Sequence, residues 1–137
     1  MNTIVLNSIA IVGGLILGGA VNMGLILVGA ELVPPPVGGD TSSMEGLAEA
    51  MHLYEPKHFL FPFLAHSLGT LVGAVFAAKV AATHKLIIAF AIGVAFLAGG
   101  ITMVLSLPSP IWFNALDLIG AYLPMAYLGY KWVEKND

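Results

Sequence analysis

The chain has 137 residues, of which 58% are hydrophobic and 9% charged, and its mean hydropathy is +0.93. Soluble domains carry about 25% charged residues, so five lysines and eight carboxylates are too few to wet a globule of this size. A net charge of −3 without a basic run excludes nucleic acid as a partner, and the absence of cysteine excludes disulfides, thiolate metal sites and iron–sulfur clusters.

The pattern is that of one membrane domain, residues 1–137, with the lipid bilayer as solvent. A hydrocarbon core about 30 Å thick takes roughly 20 helical residues at 1.5 Å each. The first such run is residues 3–30, interrupted only by Asn7, Ser8 and Asn22. No basic residue precedes Lys57 and the run is long, so it reads as an uncleaved first helix and not as a signal peptide.

Residues 31–57 form a polar loop. Val33-Pro34-Pro35-Pro36 is extended, because each proline bars the preceding residue from the α region. Gly38-Gly39-Asp40 is a turn. Ser42 is predicted to cap the backbone N–H of Glu45 and to open a helix over residues 43–54. That helix puts Met44, Leu47, Met51 and Tyr54 on one stripe and Glu45, Glu49 and His52 on another. It suits an interface, apolar stripe down. Pro56 fits the first turn of the next span.

The remaining spans are predicted at 58–83, 85–107 and 111–131, separated by His84-Lys85 and by Pro108-Ser109-Pro110, with a kink at Pro124 in the last. Barrel strands would alternate with period two, and these runs are apolar all round. The expected fold is all-α: a four-transmembrane-helix bundle with a short outer amphipathic helix.

Lysine sets the expected orientation. Lys79, Lys85, Lys131 and Lys135 lie toward one side, whereas the loop has Lys57 against Glu31, Asp40, Glu45, Glu49 and Glu55. Lysine is retained inside, which predicts cytoplasmic termini and an outward acidic loop. Gly14 and Gly18, and Gly69 and Gly73, are each four apart, a spacing that lets membrane helices approach closely. Four short helices with such stripes suggest a homo-oligomer or a subunit of a larger membrane complex.

Polar groups within the spans are costly and ask for partners. Asn22 lies nine residues in from Glu31, His66 nine in from Lys57, and Asp117 seven in from Pro110. These depths are about 10–14 Å below the outer boundary. Asn114 and Thr70 lie at similar levels. Asp117 and His66 are expected to meet there, with Asn22, Asn114 and Thr70 around them. The functional reading is a pocket that handles protons, cations or a small ligand; the alternative is a hydrogen-bond set that fixes helix register. The inner half is poor in polar residues, so a closed outer pocket is favoured over a continuous pore. Of the thirteen charged residues, only Asp117 falls within the hydrocarbon region.

Two Glu-x-x-His pairs, Glu49 with His52 and Glu55 with His58, carry metal-like spacing. With Glu45 they offer enough hard ligands for Zn²⁺ or another divalent ion in the loop; the alternative is a solvated helix face. Haem is not expected, since His66 has no histidine at matched depth. A phosphate loop, a nucleophile elbow and a zincin motif are all missing, so an enzyme is not expected.

Three stretches carry a resemblance: Val21-Asn22-Met23-Gly24-Leu25-Ile26, residues 51–66 around Tyr54-Glu55-Pro56-Lys57-His58, and Ala121-Tyr122-Leu123-Pro124-Met125-Ala126. They resemble a group of small bacterial four-helix integral membrane proteins of uncharacterised function. The resemblance implies a multi-pass protein of the bacterial inner membrane and implies no activity, cofactor or catalytic residue.

Overall fold

In the computed structural model, which describes every residue from Met1 to Asp137, the first apolar run is one unbroken helix, α1 (Thr3–Leu32). Asn2 caps it, its side chain accepting from the Ile4 N–H at 2.9 Å. Thirty residues span about 45 Å. The helix runs past the expected end at residue 30 because nothing stops it until Val33, which Pro34 forces out of the α region.

The loop helix is shorter than predicted and capped one residue later. α2 (Met44–Ala50) is followed by a single 3₁₀ turn at Met51–Leu53. Its cap is Ser43, whose hydroxyl oxygen accepts from the Gly46 N–H at 3.0 Å. Ser42 is engaged elsewhere: its N–H and hydroxyl both donate to Asp40 Oδ1, at 2.9 and 2.6 Å. That turn fixes the register of the cap. Helix cannot continue to Tyr54 and beyond, because Pro56 holds Glu55 extended, at φ −97° and ψ 164°.

The second span enters through a 3₁₀ turn at Pro56–Phe59 and becomes α3 (Leu60–Val80). It ends three residues before the expected 83. The Asn7 side chain reaches across from α1, accepting from the Ala82 N–H at 3.0 Å and donating to the Thr83 hydroxyl at 3.1 Å, which holds this turn out of helix. α4 (Lys85–Ser106) follows the expected third span and stops before the prolines.

The fourth span is two helices, not one kinked one: α5 (Ile111–Gly120) and α6 (Leu123–Asn136). Pro124 has no N–H for the Gly120 carbonyl, and its ring would strike that carbonyl in a continuous helix. The chain therefore breaks at Ala121 and Tyr122. The four helical segments are long and apolar enough to cross a membrane: Thr3–Leu32, Pro56–Val80, Lys85–Ser106 and Ile111–Asn136.

α3 is the central helix, packed against α1, α4 and α6. Glycine pairs set its approach to α1. A Cβ on Gly14 would lie 2.8 Å from the Gly73 carbonyl oxygen, and one on Gly18 2.6 Å from that of Gly69. The backbones touch where side chains would stand. At the end that holds both termini, small and branched apolar residues close the interior, with Ala10, Ala77, Ala81, Ile88 and Ile92 in one cluster and Ala74, Ala78, Ala89, Ala126 and Val133 in another. At the opposite end, the loop end, Met51, Phe59 and Phe113 make a third cluster with Leu47, Tyr54 and Leu107 against it. Large apolar side chains such as Ile16, Leu27, Ile87 and Leu105 point outward, as a lipid solvent allows and water would not.

Candidate functional site

α3 and α5 bring His66 and Asp117 together in the loop half of the bundle. The His66 Nδ1–H donates to Asp117 Oδ1 at 2.8 Å, and the Tyr122 hydroxyl donates to Asp117 Oδ2, also at 2.8 Å. Asp117 is 2% exposed and Tyr122 1%, yet the carboxylate has a donor on each oxygen. The tyrosine ring stacks on the imidazole, with centroids 5.7 Å apart and planes 28° apart. A carboxylate that accepts at Nδ1 holds the imidazole with its hydrogen on that nitrogen. Nε2 makes no hydrogen bond within the chain and is not sealed in the interior. It is the free polar atom of the trio.

Above this trio is a cavity of about 640 Å³. His66, Asp117, Asn22 and Asn114 all line it. Asn114 is held by the turn before α5: its Oδ1 accepts from the Ser109 hydroxyl at 2.8 Å, and its Nδ2 donates to the Ser109 carbonyl at 3.3 Å. Asn22 stands where α1 passes Gly69, whose missing side chain leaves room for the Asn22 Cβ. Thr70 is not part of the lining. Its hydroxyl donates to the His66 carbonyl one turn back, at 2.7 Å, the usual outlet for a threonine inside a membrane helix.

The walls are apolar. Met23 and Ile26 come from α1, and Gly100, Met103 and Val104 from α4. Leu47, Met51, Tyr54, Lys57 and His58 line the cavity on the loop side. Burial raises the Tyr54 phenol above its usual value. Toward the termini the lining ends at the level of Asn22, His66 and Gly100, and the two alanine-rich clusters fill what lies beyond.

Gly100 and Tyr122 are the residues that sequence reasoning undervalued. A Cβ on Gly100 would collide with the Tyr122 hydroxyl, so the glycine makes the space in which the phenol reaches Asp117. Residues five apart on a continuous helix point about 140° apart. Asp117 and Tyr122 converge only because the helix breaks between them, and Pro124 is the signal for that break.

The proposed metal ligands are not brought together: no three His, Asp or Glu side chains form a group able to hold an ion. His52 Nδ1 lies 2.7 Å from the Glu49 carbonyl oxygen and bonds locally. His58 Nδ1 accepts from the Glu55 N–H at 2.9 Å, and the Glu55 carboxylate pairs with Lys57 at 3.5 Å. Glu45 belongs to the first turn of α2. In both pairs the Glu-x-x-His spacing serves a local backbone contact.

Compared with protein families, with curated proteins and with solved structures, the chain matches none.

Proposed function

We propose that this chain is a multi-pass membrane protein that binds a small ligand, or the proton such a ligand brings, in a pocket on the outer side of the membrane. One observation carries the reading. Asp117 is occupied on both oxygens by donors from the chain itself, and this leaves His66 Nε2 free beside a largely apolar cavity that the Asn22 amide also lines. An imidazole oriented by a carboxylate takes or gives a proton at its far nitrogen. Unprotonated, Nε2 accepts a hydrogen bond; protonated, it donates one, and the trio loses its net negative charge. A proton, a cation or a neutral donor each satisfies that site.

The packed half toward the termini supports a blind pocket over a pore. The lysine distribution supports termini in the cytoplasm and the loop end outside. A second reading, an accessory subunit whose polar groups only lock helices, has support on α1. Gly19 and Gly24 have open space where a Cβ would stand, as a surface awaiting another membrane helix would.

The absence of native cysteine permits a direct test. Single cysteines at Asn114 and at Ala89 are exposed to a membrane-impermeant thiol reagent, first in intact cells and then in inverted vesicles. Asn114→Cys is expected to react from the outside only, and Ala89→Cys from neither side. Reaction of Asn114→Cys from the cytoplasmic side alone overturns the orientation, and no reaction from either side overturns the open pocket.

A further inference from the structure

The shape and chemistry of the cavity narrow what it holds, given that it is a binding pocket. α1 and α4 come together deep in the bundle, where Gly14 lies against Ile92 and Gly18 against Phe96. Farther toward the loop end, both helices contribute walls to the cavity, so they stand apart with the cavity between them. Apart from Asn22 at its deep end, the residues at this seam are apolar, and two of them, Met23 and Met103, are 56% and 38% exposed. Met103 lies three residues from the last residue of α4, so the seam is within the span, at a depth of roughly 4–5 Å or more. Leu47, Met51 and Tyr54 are on the loop side. A molecule dissolved in lipid would reach the cavity along this seam.

The far end of the seam is polar at His66 Nε2 and at the Asn22 amide, which makes no hydrogen bond within the chain. In the neutral imidazole with Nδ1–H committed to Asp117, His66 Nε2 is an acceptor. An acceptor at the end of an apolar slot calls for a molecule whose body is apolar and whose leading end is a hydrogen-bond donor. A neutral O–H meets this without bringing a charge out of water, whereas an ammonium loses its hydration on the way in. A carboxylate would face both an acceptor and Asp117.

We propose that the pocket takes a neutral lipid-soluble molecule that leads with a hydroxyl or phenol, its O–H donating to His66 Nε2 and its apolar body lying between α1 and α4. Phenolic lipids and long-chain alcohols share this chemistry. The orientation of His66 by Asp117 and of Asp117 by Tyr122 serves to keep that acceptor aimed at the slot.

The test uses the full chain in uncharged phosphatidylcholine nanodiscs, with ¹⁵N-histidine resonances and calorimetry as readouts. 4-Nonylphenol is expected to bind at least tenfold more tightly than its methyl ether, 4-nonylanisole, and to shift the Nε2 resonance of His66. Dodecanol in place of the phenol separates the two sources: binding equal to the phenol's identifies any hydroxyl lipid, and weaker binding identifies phenols. Equal affinity for phenol and ether overturns the hydrogen bond to His66. Tighter binding of dodecyltrimethylammonium than of the phenol overturns the neutral ligand. If none of these probes binds while Asn114→Cys still reacts from outside, this ligand class fails and the open pocket stands. Val104→Trp narrows the seam and is expected to slow phenol association at least tenfold, whereas Leu47→Trp in the loop-side segment is not. The reverse order overturns access through the seam. None of the comparisons made on the unaltered chain depends on a variant folding.

Discussion

The Tyr122 hydroxyl occupies the space that a side chain on Gly100 would fill, and from there it donates to Asp117 Oδ2 at 2.8 Å. α4 thus shapes the trio without contributing a polar group. Gly100→Ala is expected to push the phenol off the carboxylate and to destabilise the fold by about 1–3 kcal/mol, the usual range for overpacking. Tyr122→Phe removes the nearest of the colliding atoms, leaving the ring carbons Cζ and Cε2 at 2.7 and 2.8 Å from the added Cβ, and it removes the same hydrogen bond that Gly100→Ala is expected to break. The double variant should therefore cost clearly less than the two single variants added together. Thermal or denaturant unfolding in detergent of the four proteins checks this, and strict additivity would show that the two residues do not act on each other.

Asp117→Asn keeps the shape of the side chain and halves its accepting capacity. An amide has one oxygen for two donors, and its NH₂ facing either His66 or Tyr122 forces that partner to turn or to lose its bond. The expected cost is about 1–3 kcal/mol for a buried group left unsatisfied. The more specific expectation is a change of imidazole tautomer, with hydrogen moving from Nδ1 to Nε2 when the amide offers a donor. ¹⁵N chemical shifts of His66 report both nitrogens separately, and an unchanged tautomer would mean that Asp117 does not orient the ring.

How much of this could be read from the chain varies with the physics involved. The four spans are legible because hydropathy and length alone set what crosses a bilayer. Counting residues from the span ends puts Asn22, His66 and Asp117 at one level, because a helix has a fixed rise, and the three line one cavity. The same count misleads for Thr70, whose hydroxyl is satisfied within its own helix and has no need of the cavity. Tyr122 escapes because its partnership with Asp117 depends on a break, not on a periodicity. Ser42 and Ser43 compete for one cap, and the choice falls to Asp40, which takes both donors of Ser42. The Glu-x-x-His pairs are ambiguous in principle, since one spacing serves a metal, a helix face or a local backbone contact.

The glycines divide into two kinds, and alanine substitution should separate them. Gly18 and Gly69 meet backbone to backbone, so Gly18→Ala puts a methyl 2.6 Å from a carbonyl oxygen that cannot move without shifting α3. A loss of about 1–3 kcal/mol is expected. Gly19 is its neighbour in sequence, and a Cβ there would meet nothing within 4 Å. Gly19→Ala should be neutral or stabilising by up to about 1 kcal/mol within the isolated chain, from helix propensity. If α1 seats another helix through this face, the same substitution weakens association instead. Unfolding and cross-linking measured on the same preparation distinguish the two effects.

The loop end should respond to acid through one carboxylate. Asp40 accepts from both the N–H and the hydroxyl of Ser42, and these bonds hold its carboxyl below the usual 3.8. A depressed acid favours the folded turn in its deprotonated form. The contribution is complete above about pH 3.8 and is lost as the pH falls through the lower, folded value. Because Asp40 is fully exposed, the effect is local and concerns the turn and the Ser43 cap, not the bundle. Amide exchange at Ser42 and Gly46 should accelerate below that pH beyond the intrinsic chemical rate, while the amides of α3 stay protected. Asp40→Asn keeps an oxygen that accepts from Ser42 and removes the titration, so its exchange should lack the acid step. If the step persists in Asp40→Asn, another group opens the turn, and the assignment of the acid response to Asp40 is wrong.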